Sequence, residues 1–448
     1  MKINVMRRIL PGALLLFAPV SARATNAVLV GYLDVSPAYQ YSDVWGWVDH
    51  ATDRTYALVG NNATGLHIVD TTDPSNPFGV ATVTTVPRFD MKTWESYVYT
   101  VDGFGNPGGI VNIAQPANPV VVGTFPGGHN IFIDTAGYLY VCLPGLRIYD
   151  LNANPIAPEL VWEDALSDGM DGHDATVVGD MLYEFRGTYG TRIWDVSDRS
   201  APVPVGVIDD PTITYAHNGW PTADGRYLFI TDEFARDPAP DITVWDISEP
   251  FVPKRVAEIA DPSSSVHNCY VIGDLLYVAY YVAGFKLFDI RDPRHPVLAD
   301  TEDTSAFSGE GSFDGAFGCY PFSPDGSVYV NDRPNGLFVF RIDGVPTAVT
   351  APAARTPLLS MQGGAPNPFG GATTIRYALG AASEVSVAVF DAHGRRVRAL
   401  TSGTMPAGGQ SVTWDGRDDA GAAAPSGVYF CRVRAAGEAR TSRLVLLR

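Results

Sequence analysis

Four histidine-led dipeptides recur along the chain, His129-Asn130, His173-Asp174, His217-Asn218 and His267-Asn268, at spacings of 44, 44 and 50 residues. Imidazoles converging from several strands form a site for Zn²⁺, Cu²⁺, Ni²⁺ or Fe²⁺. Asp174, Asp232, Glu233 and Glu310 are the carboxylates available to complete such a set. An ion held there would lower the pKa of a bound water and support hydrolysis. The same regularity has a second explanation, because a residue repeated once per structural unit also serves a scaffold, lining a channel and tying strands together. The pattern is uneven: Phe89-Asp90 precedes the series, Phe317 stands where a seventh unit would carry histidine, and Val48-Asp49-His50 is what the first unit offers.

Other catalytic templates are absent. The chain has no Gly-x-Ser-x-Gly elbow, no phosphate-binding glycine loop, no His-Glu-x-x-His and no dinucleotide fingerprint. No organic cofactor is implied, and the only cofactor the residues suggest is a divalent transition metal. Asp70, Asp150, Asp195, Asp246 and Asp289 recur as candidate acid–base groups, but each precedes a Pro-containing turn and reads better as a turn cap. Cys142, Cys269, Cys319 and Cys431 lack metal-site spacing and are expected as buried free thiols.

The elements that must position the histidines follow from a second repeat. Gly-Leu-His-Ile-Val-Asp from Gly65 returns as Gly-Leu-Arg-Ile-Tyr-Asp from Gly145, Gly-Thr-Arg-Ile-Trp-Asp from Gly190 and Gly-Phe-Lys-Leu-Phe-Asp from Gly284. Weaker copies begin at Gly109, Asp241 and Gly336. The seven starts lie 44, 36, 45, 51, 43 and 52 residues apart, the period of a four-stranded propeller blade. Each copy alternates as a strand does and leads through a turn such as Asp292-Pro293-Arg294-His295-Pro296 into a short apolar strand. Two further strands precede it, so the dipeptides open the innermost strand of successive blades. The last copy, ending at Asp343, lacks an outer strand, and Val28-Leu29-Val30-Gly31-Tyr32 supplies one. Joining the two closes the ring and removes its free edges.

These hexapeptides and Asp-x-x-Pro turns resemble the LVIVD repeats of bacterial choice-of-anchor B proteins over residues 26–343. The resemblance implies an exported propeller and no particular reaction. After it, residues 344–371 are rich in Pro, Ala, Thr and Gly and read as a linker. The C-terminal segment, taken as a domain over 372–448, resembles together with the residues just before it the immunoglobulin-like domain of the flagellar hook-capping family and the related type IX secretion sorting domains. The matching segments are Pro366-Asn367-Pro368-Phe369, Asp391-Ala392-His393-Gly394-Arg395, Trp414-Asp415-Gly416-Arg417-Asp418 and Ser426-Gly427-Val428-Tyr429-Phe430. Asp415, Asp418 and Asp419 could suggest calcium, but the flanking glycines favour a tight turn.

The first residues carry an address. Lys2, Arg7 and Arg8 precede an apolar run from Ile9 to Val20, and Ala22-Arg23-Ala24 is a small-x-small cleavage site, so residues 1–24 read as a signal peptide. That run is shorter than the ~20 residues a spanning helix needs. The chain has a net charge of −18; residues 25–362 hold 17 basic and 43 acidic side chains, while 363–448 hold ten Arg and six acidic ones. Such an acidic body repels nucleic acid.

The sequence therefore predicts an all-β protein: a signal peptide at 1–24, a seven-bladed β-propeller at 25–343, a linker, and a small Ig-like β-sandwich. Its expected place is outside the cell, secreted or at the surface. The expected role is non-catalytic binding or scaffolding of a protein, peptide or glycan, with the C-terminal domain engaging secretion machinery. The alternative is a metal-dependent hydrolase at the His-rich channel face.

Overall fold

The computed structural model describes residues 25–36, 40–164, 172–305, 313–343, 359–379, 381–391, 394–435 and 438–448. The signal-peptide segment and most of the expected linker lie outside the described residues. None of the described residues is helical, and no helix is long and apolar enough to cross a membrane.

Among the described residues from 26 to 343, the strands form seven four-stranded antiparallel sheets. In six of them the strands run from inner to outer in chain order, as in Tyr41–Asp49, Arg54–Asn61, Gly65–Asp70 and Phe78–Val83 of the first blade. The seventh contains Ala316–Tyr320, Ser327–Asp332 and Gly336–Asp343, and takes Asn26–Leu33 from the start of the chain as its outer strand. Inner strands pack on their neighbours around the ring, with Tyr41–Asp49 against Ala316–Tyr320 at the seam. The chain is thus closed by its own first strand.

The hexapeptides form the third strand of each blade, and local chemistry explains their form. Five of the seven end on an Asp whose Oδ1 accepts the amide two residues on: Thr72 for Asp70, Asn152 for Asp150, Ser197 for Asp195, Ser248 for Asp246 and Arg291 for Asp289. These carboxylates are turn caps, as expected. The leading glycine is required at Gly284, where φ is +75° and a Cβ would sit 2.1 Å from the Glu302 carbonyl of the outer strand. Every pairing of third with fourth strand carries a register shift, for example at Ile193/Trp194 and Leu287/Phe288. A bulge there adds twist, which splays the outer strand. At the seam it falls at Leu29/Gly31.

The apolar face of each blade is buried between sheets, in clusters such as Leu58, Leu66, Ile68, Val98 and Val111. All four cysteines are free and buried.

Beyond residue 358 two sheets form a sandwich, Leu359–Ala365, Thr373–Leu379 and Gly408–Trp414 against Arg396–Met405, Ser383–Asp391, Gly427–Ala435 and Glu438–Leu446. Trp414 is its fully buried centre, with Phe369 and Tyr429 rings at 5.5 and 4.9 Å. The segment read as linker through residue 371 differs here. Leu359–Ala365 pairs with Thr373–Leu379, and buried Leu359 and Phe369 belong to the sandwich core. Asp415 and Asp418 accept amides of their own turn and Asp419 accepts that of Ala399, the arrangement of a turn.

The sandwich touches the propeller at blades four and five. Phe251 packs near Phe390 and Phe430, and the Arg432 guanidinium lies 4.6 Å from the Phe251 and Phe390 rings. Arg434 pairs with Glu249, Arg440 with Asp180, and the Thr441 amide reaches Asp195.

Candidate functional site at the mouth of the central channel

Successive side chains at the head of each inner strand build two layers. The upper layer contains six rings in a closed girdle. Centroids are 5.2 Å apart for Phe89–His129, 4.3 Å for His129–His173, and 4.4 Å for both His173–His217 and His217–His267. His267–Phe317 at 3.9 Å and Phe317–Phe89 at 5.7 Å complete it. The four predicted histidines are therefore contiguous. Blade one was expected to offer Val48-Asp49-His50, but Asp49 ends its strand at the far side and Ser42-Asp43 take the position. The extra length of that first strand, nine residues against three to six in the others, hides the register.

Backbone carbonyls orient the imidazoles. Nδ1 of His129 donates to the Gly103 carbonyl at 2.6 Å, that of His173 to the His217 carbonyl at 3.3 Å, and that of His267 to the Phe317 carbonyl at 2.6 Å. A carbonyl only accepts, so Nδ1 carries the proton and the Nε2 lone pair remains available. Burial pushes His217 and His267 down to about 3, and burial with the neighbouring imidazoles takes His173 well below its usual value. These rings are neutral at ordinary pH.

Of the carboxylates, Glu233 joins the imidazoles. Its Oε2 lies 3.6 Å from His217 Nε2 and its Oε1 accepts the Tyr281 hydroxyl. Ligand atoms of His173, His217 and Glu233 all lie within 4.8 Å of one another. Asp232 serves another purpose: it accepts the amides of Thr214, Tyr215 and Phe234 and buckles the loop that presents Glu233. Glu310 lies outside the described residues.

Asp174 belongs to the lower layer, with Asp43, Asp90, Asn130, Asn218 and Asn268. Asn218 donates to Asp174 at 2.8 Å and accepts the Cys269 amide of the next blade, while Asp90 accepts the Ile131 amide. Interblade stitching is the visible role of this layer. Lys92, which was not among the expected site residues, reaches into it, paired with Asp90 and, at 3.4 Å, with Asp43. Its signal was spacing: two residues after Asp90 on a strand, it faces the same way. Burial raises Asp174 to about 7 and Asp43 well above the carboxylate range. A cavity of about 20 Å³ lies among these groups, enough for a water-sized guest. Phe132, Trp220, Tyr270 and Phe322 pack together beneath.

Around the girdle the rim is aromatic and exposed. Phe104 is 83% exposed, and Tyr189, Phe234 and Phe313 are each at least 40% exposed. Phe234 rests on Tyr215, which meets His173, and Phe313 rests on Tyr281, which meets His267. Sequence reading missed this rim because its residues sit in loops of different blades and share no repeat position.

Comparison with known proteins agrees with this architecture. The LVIVD repeat profile matches residues 54–85 and 264–304, and the FlgD Ig-like domain profile matches 367–438. No curated protein sequence matches the chain. The WD40 propeller of Doa1 superposes with a TM-score of 0.52 at 12% identity, covering 70% of this chain and 97% of that one. PorZ, a bacterial surface component of the type-IX secretion system of Porphyromonas gingivalis, aligns with a TM-score of 0.45 at 15% identity over 92% of this chain. This chain spans 60% of the length of that PorZ chain. The chain thus carries LVIVD repeats on an all-β propeller fold, followed by a FlgD Ig-like domain.

Proposed function

We propose that the protein is an exported, surface-displayed binding module of the choice-of-anchor B kind, whose ligand docks on the channel mouth. The observation that carries the reading is the exposed ring of Phe104, Tyr189, Phe234 and Phe313 around a buried imidazole girdle. Exposed aromatics grouped on one face cost solubility and are the residues that dominate binding energy at interfaces. Partners of matching chemistry are proteins, peptides or glycans outside the cell. Residues 1–24 serve as the export signal, 25–343 as the binding body, and the sandwich, taken from 359 rather than 372, as the secretion or attachment module. Removal of residues 1–24 would leave Thr25 directly before the strand that closes the ring.

Peptide and glycan arrays probed with the secreted full chain test this. A ligand retained by the wild type should lose at least about tenfold in affinity in the Phe234→Ser, Phe313→Ser variant, since each aromatic anchor contributes ~1–2 kcal/mol. Equal retention by both would place recognition elsewhere. A second reading, metal-dependent hydrolysis at the girdle, is favoured by the closeness of His173, His217 and Glu233. It requires turnover that disappears with a chelator.

A further inference from the structure

We propose that His173, His217 and Glu233 form a two-imidazole, one-carboxylate site for a single divalent transition metal at the floor of the mouth. Four imidazoles line the girdle, but the geometry selects two of them. His129 and His267 flank the pair, and only the ligand atoms of His173, His217 and Glu233 lie within 4.8 Å of one another among the described residues. Glu233 approaches the middle of the row, and its Oε2 stands 3.6 Å from His217 Nε2. Two atoms each about 2.1 Å from one ion at a tetrahedral angle are separated by roughly 3.4 Å. That pair already has nearly the required spacing. With no pair of ligand atoms beyond 4.8 Å, small side-chain rotations bring the third onto the same ion.

The surroundings have the features a metal ligand set needs. The Nδ1 hydrogen bond of His173 fixes the tautomer with Nε2 as the free lone pair. Tyr281 donates its hydroxyl to Glu233 Oε1, leaving Oε2 directed toward His217, the outer support that metal-bound carboxylates use. Two neutral imidazoles and one carboxylate suit Zn²⁺, Co²⁺, Ni²⁺ or Fe²⁺ rather than the all-oxygen environment of Ca²⁺ or Mg²⁺. Three protein ligands leave at least one coordination position for a donor atom of an incoming molecule. The assignment does not depend on the partner-binding reading: metal uptake without any array ligand would leave it intact.

The test uses the full chain, stripped with chelator, loaded with Co²⁺ or Zn²⁺ and freed of excess by gel filtration. Elemental analysis should return about one ion per chain, the Co²⁺ form should show visible d–d absorption, and loading should raise the melting temperature. Glu233→Gln and His217→Gln should each weaken Co²⁺ binding at least about tenfold. His295→Ala, which removes an exposed histidine far from the mouth, should bind as the wild type does. If His217→Gln fails to fold, the comparison rests on Glu233→Gln alone. Fewer than about one ion per ten chains after loading, undiminished binding by folded Glu233→Gln, or loss of binding in His295→Ala would each overturn the proposal.

Discussion

Single residues in the channel carry opposing electrostatic demands. Lys92 is 6% exposed, pairs with Asp43 and Asp90, and lies 4.5 Å from the Trp45 ring centroid. Replacing it by methionine leaves the buried Asp90 carboxylate, beside Asp43, without its counter-charge, which costs roughly 3–5 kcal/mol. Lys92→Met should therefore melt far below the wild type, and adding Asp90→Asn should recover part of the loss. No recovery in the double variant would mean that lost packing, not charge, sets the effect. Asp332 makes the opposite case. It is fully buried, holds the Thr304 hydroxyl and the Asn335 amide, and burial raises it to about 7. Folded protein keeps that proton where unfolded chain, with an ordinary value near 3.8, has released it. Stability from this group is complete below about pH 4 and is lost as pH rises through 7, by about 4 kcal/mol at most. Melts of Asp332→Asn at pH 4.5 and 7.5 should differ less than those of the wild type.

Strands and turns were the most legible scale, because their signals are local. The hexapeptide period located the third strand of each blade, and the Asp caps followed from the turn chemistry after it. Gly284 shows why the repeat begins as it does. Gly284→Ala should cost about 2 kcal/mol or more, because φ is left-handed and the Glu302 carbonyl occupies the Cβ position. An unchanged thermal midpoint would mean that the outer strand yields freely. Two things were not legible. Leu359–Ala365 hides in a stretch rich in Pro, Ala and Gly, and only its partner strand and buried Leu359 make it part of a sheet. The Tyr281–Glu233–His217 chain joins residues from two blades, and its cohesion depends on loops that no period encodes. The histidine series itself was legible, since position in the repeat fixes height in the channel. Which two histidines share a carboxylate was decided by the Asp232-buckled loop.

On the scale of the whole molecule, charge and closure dominate. The acidic propeller and basic sandwich meet where Arg434 and Arg440 face Glu249 and Asp180, so their opposite net charges are used at the contact. Closure depends on the strand Asn26–Leu33. Its Gly31 lies against Pro74 of the next blade, where a Cβ would meet the carbonyl at 2.0 Å, as Gly206 lies against Pro250 elsewhere in the ring. The first strand is thus packed like any other outer strand. Most of its large side chains are exposed, Val28, Leu29 and Tyr32 among them, so ladder hydrogen bonds and the covering of Phe338 and Phe340 supply its contribution. Every placement at the channel mouth, the girdle and its aromatic rim included, assumes that this seam is shut. The most direct measurement is the thermal melt, with gel filtration, of a chain lacking residues 25–34. Closure by the first strand predicts a midpoint lowered by several degrees or more, from a loss of several kcal/mol, and association through the exposed edge. An unchanged midpoint and a monomeric profile would contradict it.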